Sequence, residues 1–339
     1  MSLRMIDIVL PQEFKNEIET LIKEQNLLDV WDEEVSEGQI KIKVLVPTEN
    51  TEPIMDALKK RFNSVKEFRM ILVAVEASVP RPDEKEEDDK KSEVLSAQKN
   101  KEKKRARISR EELYADVDMM TRMSWIYMAL MILASVVAAV GILRNNVVFI
   151  IGAMVIAPAL GPNVALSLAA TLGDVELTRR AIKSIALGTG AAFVFSAFIG
   201  ILFHVDTQIP ELVSRTEVSF GDIALALAAG SAAVLSLSSG MVTALIGVMV
   251  AVALLPPLVT LGMLVGSGQW DLALGALYLF LVNFICVNLA GVLTFLVQGI
   301  RPLSWWKAHQ AKKAARNAII IWTFFLALLV LLILLSRHN

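Results

Sequence analysis

The chain reads as an N-terminal α+β domain of ferredoxin-like order, βαββαβ, followed by an α-helical polytopic membrane domain. That domain has seven spans, a 3+3 inverted repeat plus one. Three observations predict this. The first 123 residues hold 22 of the 33 Lys and Arg and 27 of the 34 Asp and Glu, so the remainder is too poor in charge for a water-soluble fold. Apolar runs of spanning length crowd that remainder, and mean hydropathy over the whole chain is +0.57. The membrane half also matches itself at an offset of 95 residues. A single-domain soluble enzyme is excluded.

Residues 4–10 alternate as a short strand, and 12–25 place Phe14, Ile18, Leu21 and Ile22 on one helical face. Residues 27–35 and 39–46 read as strands, with Gly38 at the hairpin turn. A second helix over 50–62 turns Ile54, Met55, Leu58 and Phe62 inward, and a strand over 69–77 closes the unit. No His, Cys or Gly-rich phosphate loop precedes residue 123. The acids Asp32, Glu33, Glu34 and Glu37 read as a solvated turn rather than a cation site. Residues 1–80 therefore form a regulatory or assembly domain, although fold alone assigns no activity.

Pro80-Arg81-Pro82 stops the last strand. An acidic block (83–89) and a basic block (99–107) make 81–108 a charged, disordered linker. A basic run alone does not make a nucleic-acid site, whereas its position before the first span suits anionic lipid headgroups. Ser109-Arg110-Glu111-Glu112 matches a capping box. It opens an amphipathic helix over 109–122, with Leu113, Val117 and Met120 on the face laid at the membrane surface.

A helical span needs about 20 apolar residues. Seven are read in the membrane domain, 123–339: 125–143, 147–172, 181–203, 222–238, 242–266, 272–298 and 318–336. The fourth is rich in Ala, Gly and Ser, which suits close helix packing. Arg179, Arg180, Lys183, Arg301, Lys307, Lys312, Lys313 and Arg316 fall on the N-terminal side if the spans alternate. The positive-inside rule then puts the N-terminus in the cytoplasm and the C-terminus outside. No apolar signal-peptide core begins the chain, and the single cysteine, Cys286, lies in an apolar stretch.

The self-match lays IGAMVIAPALGPNVALSLAATLG (151–173) over IGVMVAVALLPPLVTLGMLVGSG (246–268) without a gap. The paired Gly152/Gly247, Pro162/Pro257 and Gly173/Gly268 carry more weight than the aliphatic identities, because each has a backbone reason. The copies cover about 124–203 and 222–298. Three spans per copy is odd, so they enter the bilayer from opposite faces, a plan shared by many secondary transporters.

Pro158, Gly161 and Pro162 are expected to interrupt the second span, and Pro256 and Pro257 the fifth. Broken helix in lipid survives only where protein or water surrounds it. Paired breaks would gather carbonyls and half-helix ends near the midplane, where such ends bind ions. Asn163 and Thr260 adjoin the breaks; Asn283 and Asn288 on the sixth span are further candidates, and Gly152 and Gly247 are hinge or packing positions. The alternative, that the prolines are packing kinks, is outweighed by their pairing. No buried carboxylate or His offers a proton relay, since His204, His309 and His338 sit at interfaces or termini. HExxH, GxSxG and paired intramembrane Asp are absent, so no enzyme, cofactor or metal is expected.

ISREELYADV (108–117), IGAMVIAPALGP, GVMVAVALLPP and EASVPRP (76–82) together resemble the prokaryotic membrane proteins grouped as domain of unknown function 389. The likeness covers nearly the whole chain, while the linker at 83–107 looks particular to it. The resemblance implies this architecture and a prokaryotic inner membrane, and no substrate. The expected function is a transporter or channel for a small solute or ion. The other reading, from a different class, is a membrane-anchored sensor or scaffold whose soluble domain binds a ligand. Expected partners are the lipid bilayer, the solute and further copies of the chain, with no nucleic acid.

Overall fold

A computed structural model describes residues 3–23, 27–36, 38–75, 109–239, 243–300 and 305–338. The expected linker, with Pro80-Arg81-Pro82 and both charged blocks, lies outside them, as does Glu37. The chain divides into two units, Met1–Tyr114 and Ala115–Asn339.

The first unit alternates as its sequence does. Strands β1 (Leu3–Pro11), β2 (Asp29–Ser36), β3 (Gln39–Pro47) and β4 (Arg69–Val75) form one antiparallel sheet in the order β2-β3-β1-β4. Helix α1 (Lys15–Lys23) follows β1, and α2 (Thr48–Phe62) follows β3. Ile6, Ile8 and Leu10 of β1 and Ile40, Ile42 and Val44 of β3 bury one sheet face against Ile18, Ile22, Ile54 and Phe62. Each such side chain contributes about 1.5–3 kcal/mol on burial. The opposite face carries Asp7 paired to Lys41 at 2.7 Å, with Trp31, Ile71 and Val73 exposed beside it. The hairpin acids Asp32 and Glu33 are taken by Lys15 and Lys43.

Helix α3 (Arg110–Met120) begins as expected: Ser109 Oγ accepts from the Glu112 amide at 3.2 Å. Its apolar face is not left open for lipid, because Leu113 and Val117 are buried in protein.

The second unit is helical: α4 (Trp125–Leu143), α5 (Val147–Ile156), α6 (Leu160–Leu172), α7 (Val175–Leu202), the single turn α8 (Pro210–Val213), α9 (Phe220–Ser238), α10 (Thr243–Gly266), α11 (Trp270–Val297) and α12 (Trp305–His338). Among the described residues five helices are long and apolar enough to cross a membrane, six with the bent pair α5–α6 counted as one span. They fit a multi-pass membrane protein.

Small residues set the packing. Ser184, Gly188, Ala192, Ser196 and Gly200 recur every fourth residue along α7 and are all buried. Opposite them on α10, a Cβ added at Gly262 would stand 2.6 Å from the Ser196 Cβ, and one at Gly266 would run into the Ala197 carbonyl. Close backbone approach of this kind replaces the hydrophobic drive that lipid removes. Between α6 and α11 a Cβ at Gly291 would stand 2.8 Å from the Ser167 Cβ. Helix α6 ends in Gly173 at φ 68° with the Asp174 amide bonded to the Ala169 carbonyl. Past α10, Gly268 at φ 78° and a bond from the Gln269 amide to the Leu264 carbonyl repeat that left-handed cap.

Candidate functional site

The second span is broken where proline forbids its ladder. Pro158 has no N–H for the Met154 carbonyl, Ala157 is extended (φ −68°, ψ 119°), and α5 and α6 meet at 56°. Pro162 falls in the first turn of α6, where an amide has no helical partner and its loss costs nothing. Asn163 Nδ2 then donates back to the Ala159 carbonyl at 2.8 Å.

The fifth span corrects the sequence expectation. Pro256 and Pro257 do not interrupt it: α10 runs unbroken from Thr243 to Gly266 through both. At the 95-residue offset Pro158 corresponds to Ala253, which keeps its N–H. Pro257 still deprives the Ala253 carbonyl of a donor, and Asn283 Nδ2 of α11 supplies one at 2.8 Å. A kink thus becomes a satisfied helix.

The asparagines separate accordingly. Asn288 Nδ2 donates to Asn163 Oδ1 at 3.2 Å and to the Phe284 carbonyl at 2.9 Å. Ser167 Oγ lies 3.2 Å from the carbonyl oxygens of both Asn163 and Asn288. This buried polar cluster ties α6 to α11. Asn283 serves α10 instead, and its Oδ1 has no hydrogen-bond partner; nor does Thr260 Oγ1, on a fully buried side chain.

A cavity lies at the break, with about 20 Å³ open to the centre of a water molecule. That is room for one water. Ala159, Pro162 and Asn163 form one wall, and Leu254, Leu255 and Leu258 of α10 another. Tyr127 and Met131 of α4, Ile185 and Thr189 of α7, and Phe280 and Phe284 of α11 complete it. Its level is roughly 15–21 Å along both α7 and α11 at 1.5 Å per residue, close to the middle of each. No charged side chain lines it.

Of the expected site residues, Pro162 and Asn163 reach the cavity and Asn288 joins them by hydrogen bond. Gly161 does not: a Cβ there would stand 2.5 Å from the Met120 Cβ, so this glycine admits the end of α3. Gly152 is neither hinge nor close contact, since it lies within α5 and a Cβ there would meet nothing within 4 Å. Gly247 lies within α10. Sequence reasoning passed over Tyr127, Thr189, Phe280, Phe284 and Ser167. The aromatic pair at i, i+4 was the one signal available, and its rings stack at 6.3 Å. No group of His, Cys, Asp or Glu suited to a metal occurs among the described residues.

Residues 154–289, which span the break, the asparagine cluster and all of the cavity lining but Tyr127 and Met131, match the family model described as "Domain of unknown function (DUF389)". An uncharacterized protein of Methanocaldococcus jannaschii is 33% identical over 335 residues, covering 98% of this chain and 99% of the relative. No solved structure matches the chain. With identity carried through both units and the family model resting on the broken span, the chain belongs to the family of domain of unknown function 389.

Proposed function

We propose that the protein is a membrane transporter or channel for a small solute or ion, and that the cavity at the α5–α6 break lies on its pathway. The observation that carries this is the break itself. A span bent by 56° in apolar surroundings gives up helix hydrogen bonds, which an anchor has no reason to do. Here the bend faces a mid-height cavity and is held by a buried cluster from another span.

The inverted-repeat reading draws support from two correspondences at the 95-residue offset. Ser167 maps to Gly262 and Ser196 to Gly291, and the close contacts are Ser167 with Gly291 and Ser196 with Gly262. Exchanging the copies thus exchanges these contacts, as a two-fold axis between them requires. The Gly173 and Gly268 caps are the second correspondence. α10 supplies the seventh span, giving three per copy plus α12, with the N-terminus inside by the basic loops. The β2-β3-β1-β4 order supports a ferredoxin-like cytoplasmic domain in a regulatory or assembly role.

The test is flux in proteoliposomes of the full chain across a panel of ions and small metabolites, beside Pro158→Ala, which returns a donor to the Met154 carbonyl. Flux in the wild type, reduced in the variant, is expected. Equal flux in both would take the break out of the pathway. Silence in both, with protein shown to be folded and inserted, would leave the sensor or scaffold reading.

A further inference from the structure

The two edges of the N-terminal sheet differ in a way that the fold alone does not require. With the order β2-β3-β1-β4, strands β2 and β4 each have one side without a partner strand among the described residues. Open edges invite pairing with another chain, and charge or irregular register blunts them. β2 has both: Asp29, Asp32, Glu33 and Glu34 run along it, and its register against β3 shifts between Glu34 and Ser36. β4 has neither. Met70 to Val75 are six consecutive apolar residues, and β4 pairs with β1 without irregularity from Leu3 to Val9. Ile71 and Val73, on the face away from the helices, are 45% and 43% exposed. A strand of this length and composition, without proline, readily pairs with a strand like itself.

We infer that β4 is a docking edge for β4 of a second copy, antiparallel across a two-fold axis at Leu72, which joins two sheets into one of eight strands. Centring on Leu72 pairs all seven residues and keeps the helices of both copies on one face. Ile71 then lies opposite the partner's Val73 and Arg69 opposite the partner's Val75, so no like charges meet. Such a pairing supplies about six to eight backbone hydrogen bonds. The acids of β2 oppose the same arrangement there, and β2 laid on β4 would be head-to-tail and leave an edge open at each end. The chain's own 76–108 is a poor occupant, being densely charged, with Pro80, Pro82 and no aliphatic run longer than Val94-Leu95. The strip is about 23 Å long at 3.3 Å per residue, less surface than a free soluble dimer needs. Copies held in one bilayer meet at high local concentration, which offsets the shortfall. The inference goes beyond the transport reading and does not rest on it.

Oxidative cross-linking of the full chain in proteoliposomes at low protein density tests both the edge and its register. The wild type, whose one thiol Cys286 is buried in α11, is the blank. Leu72→Cys should give a covalent dimer, because the axis sets each new thiol opposite its copy with Cα atoms about 4.5–5.5 Å apart, within reach of a disulfide. Met70→Cys and Ala74→Cys should not, since each lies four residues, about 13 Å, from its copy. Adding Ile71→Lys and Val73→Lys to the Leu72→Cys chain sets lysine opposite lysine, and should cut the dimer roughly tenfold. Ile71→Glu with Val73→Glu should do the same. Mixing the lysine and glutamate forms should restore it, which also shows that both remain folded. Cross-linking at all three thiol positions alike, at none, or with no recovery in the mixture would overturn the inference. β4 amides slow to exchange without any dimer would overturn it in favour of the chain's own 76–108. Slow exchange that needs lipid but no second copy would overturn it in favour of the bilayer. No flux is read, so neither result bears on transport.

Discussion

Asn283 should matter for stability because of a proline on another helix. Its amide donates at 2.8 Å to the Ala253 carbonyl, the group four residues before Pro257 that proline leaves without a donor. Asn283→Ala deletes that donor in a place closed to water, since Asn283 is only 6% exposed and Ala253 3%. An orphaned buried carbonyl costs about 1–3 kcal/mol, and interhelical bonds measured within membranes average nearer ~0.6 kcal/mol. The expected loss is therefore ~1–2 kcal/mol. Pro257→Ala restores a backbone N–H that can bond to the same oxygen. In that background the asparagine becomes redundant, and Asn283→Ala should cost less than half as much. A double-mutant cycle by equilibrium unfolding in mixed micelles measures the coupling. Equal losses in both backgrounds would refute the argument, because Asn283 would then act through packing or through its unpaired Oδ1.

Gly291→Ser should be strongly destabilising, since even a Cβ stands 2.8 Å from that of Ser167; adding Ser167→Gly recreates the arrangement of Gly262 with Ser196 and should recover most of the loss in the same unfolding assay. Gly266→Ala forces a methyl into the Ala197 carbonyl, and the α7–α10 contact should lose about 1–3 kcal/mol, as overpacked interiors do, read as a lower unfolding midpoint. The hydrogen bond to Asp7 raises the Lys41 pKa above its ordinary 10.5, so its contribution is whole below that value and lost as pH rises through the folded one. Lys41→Met should therefore weaken hydrogen-exchange protection of β1 and β3 at pH 7 and converge with the wild type at high pH. The Lys15 hydrogen bond lowers the Asp32 pKa below 3.8, so that pair holds at neutral pH and fails only as pH falls through the folded value; Lys15→Met and wild type should converge in strong acid.

The N-terminal sheet was legible because strands of period two and helices of period 3.6 cannot be exchanged without exposing Ile6, Ile8 and Leu10, or Ile54, Leu58 and Phe62. Trp125–Leu143 coincides with the expected span, whereas α7 and α12 begin at Val175 and Trp305, well before the apolar runs expected from 181 and 318, because a helix extends past its apolar stretch. Prolines were read correctly only where the neighbouring residues agreed. Pro158 lies where the chain turns extended, but Pro256 and Pro257 sit in a helix whose missing donor arrives from a residue 30 positions away in sequence. No local pattern announces such a partner. The cavity lining escaped for the same reason: Tyr127, Thr189 and Phe280 are unremarkable on their own spans and acquire meaning only from the crossing of five helices.

The segments matched at the 95-residue offset agree in packing and differ in polarity, and the difference bears on how the proposed pathway would work. At the 95-residue offset Asn163 corresponds to Leu258 and Asn288 to Phe193, so the polar pair that joins the two segments has an apolar pair as its counterpart. Pro158 corresponds to Ala253, whose carbonyl is held by Asn283, and α10 stays continuous. In an inverted-repeat carrier, alternating access rocks one repeat against the other around a fixed site. A full exchange of conformations would need α10 to bend at Ala253, against both its intact N–H and the Asn283 bond. It would also need α6 to leave Asn288 and Ser167's contacts on α11. The pathway is therefore better served by one hinge, at Ala157–Ala159, moving against a fixed α10–α11 wall, with the Asn163–Asn288 bond as the contact that must break for the cavity to widen beyond a single water.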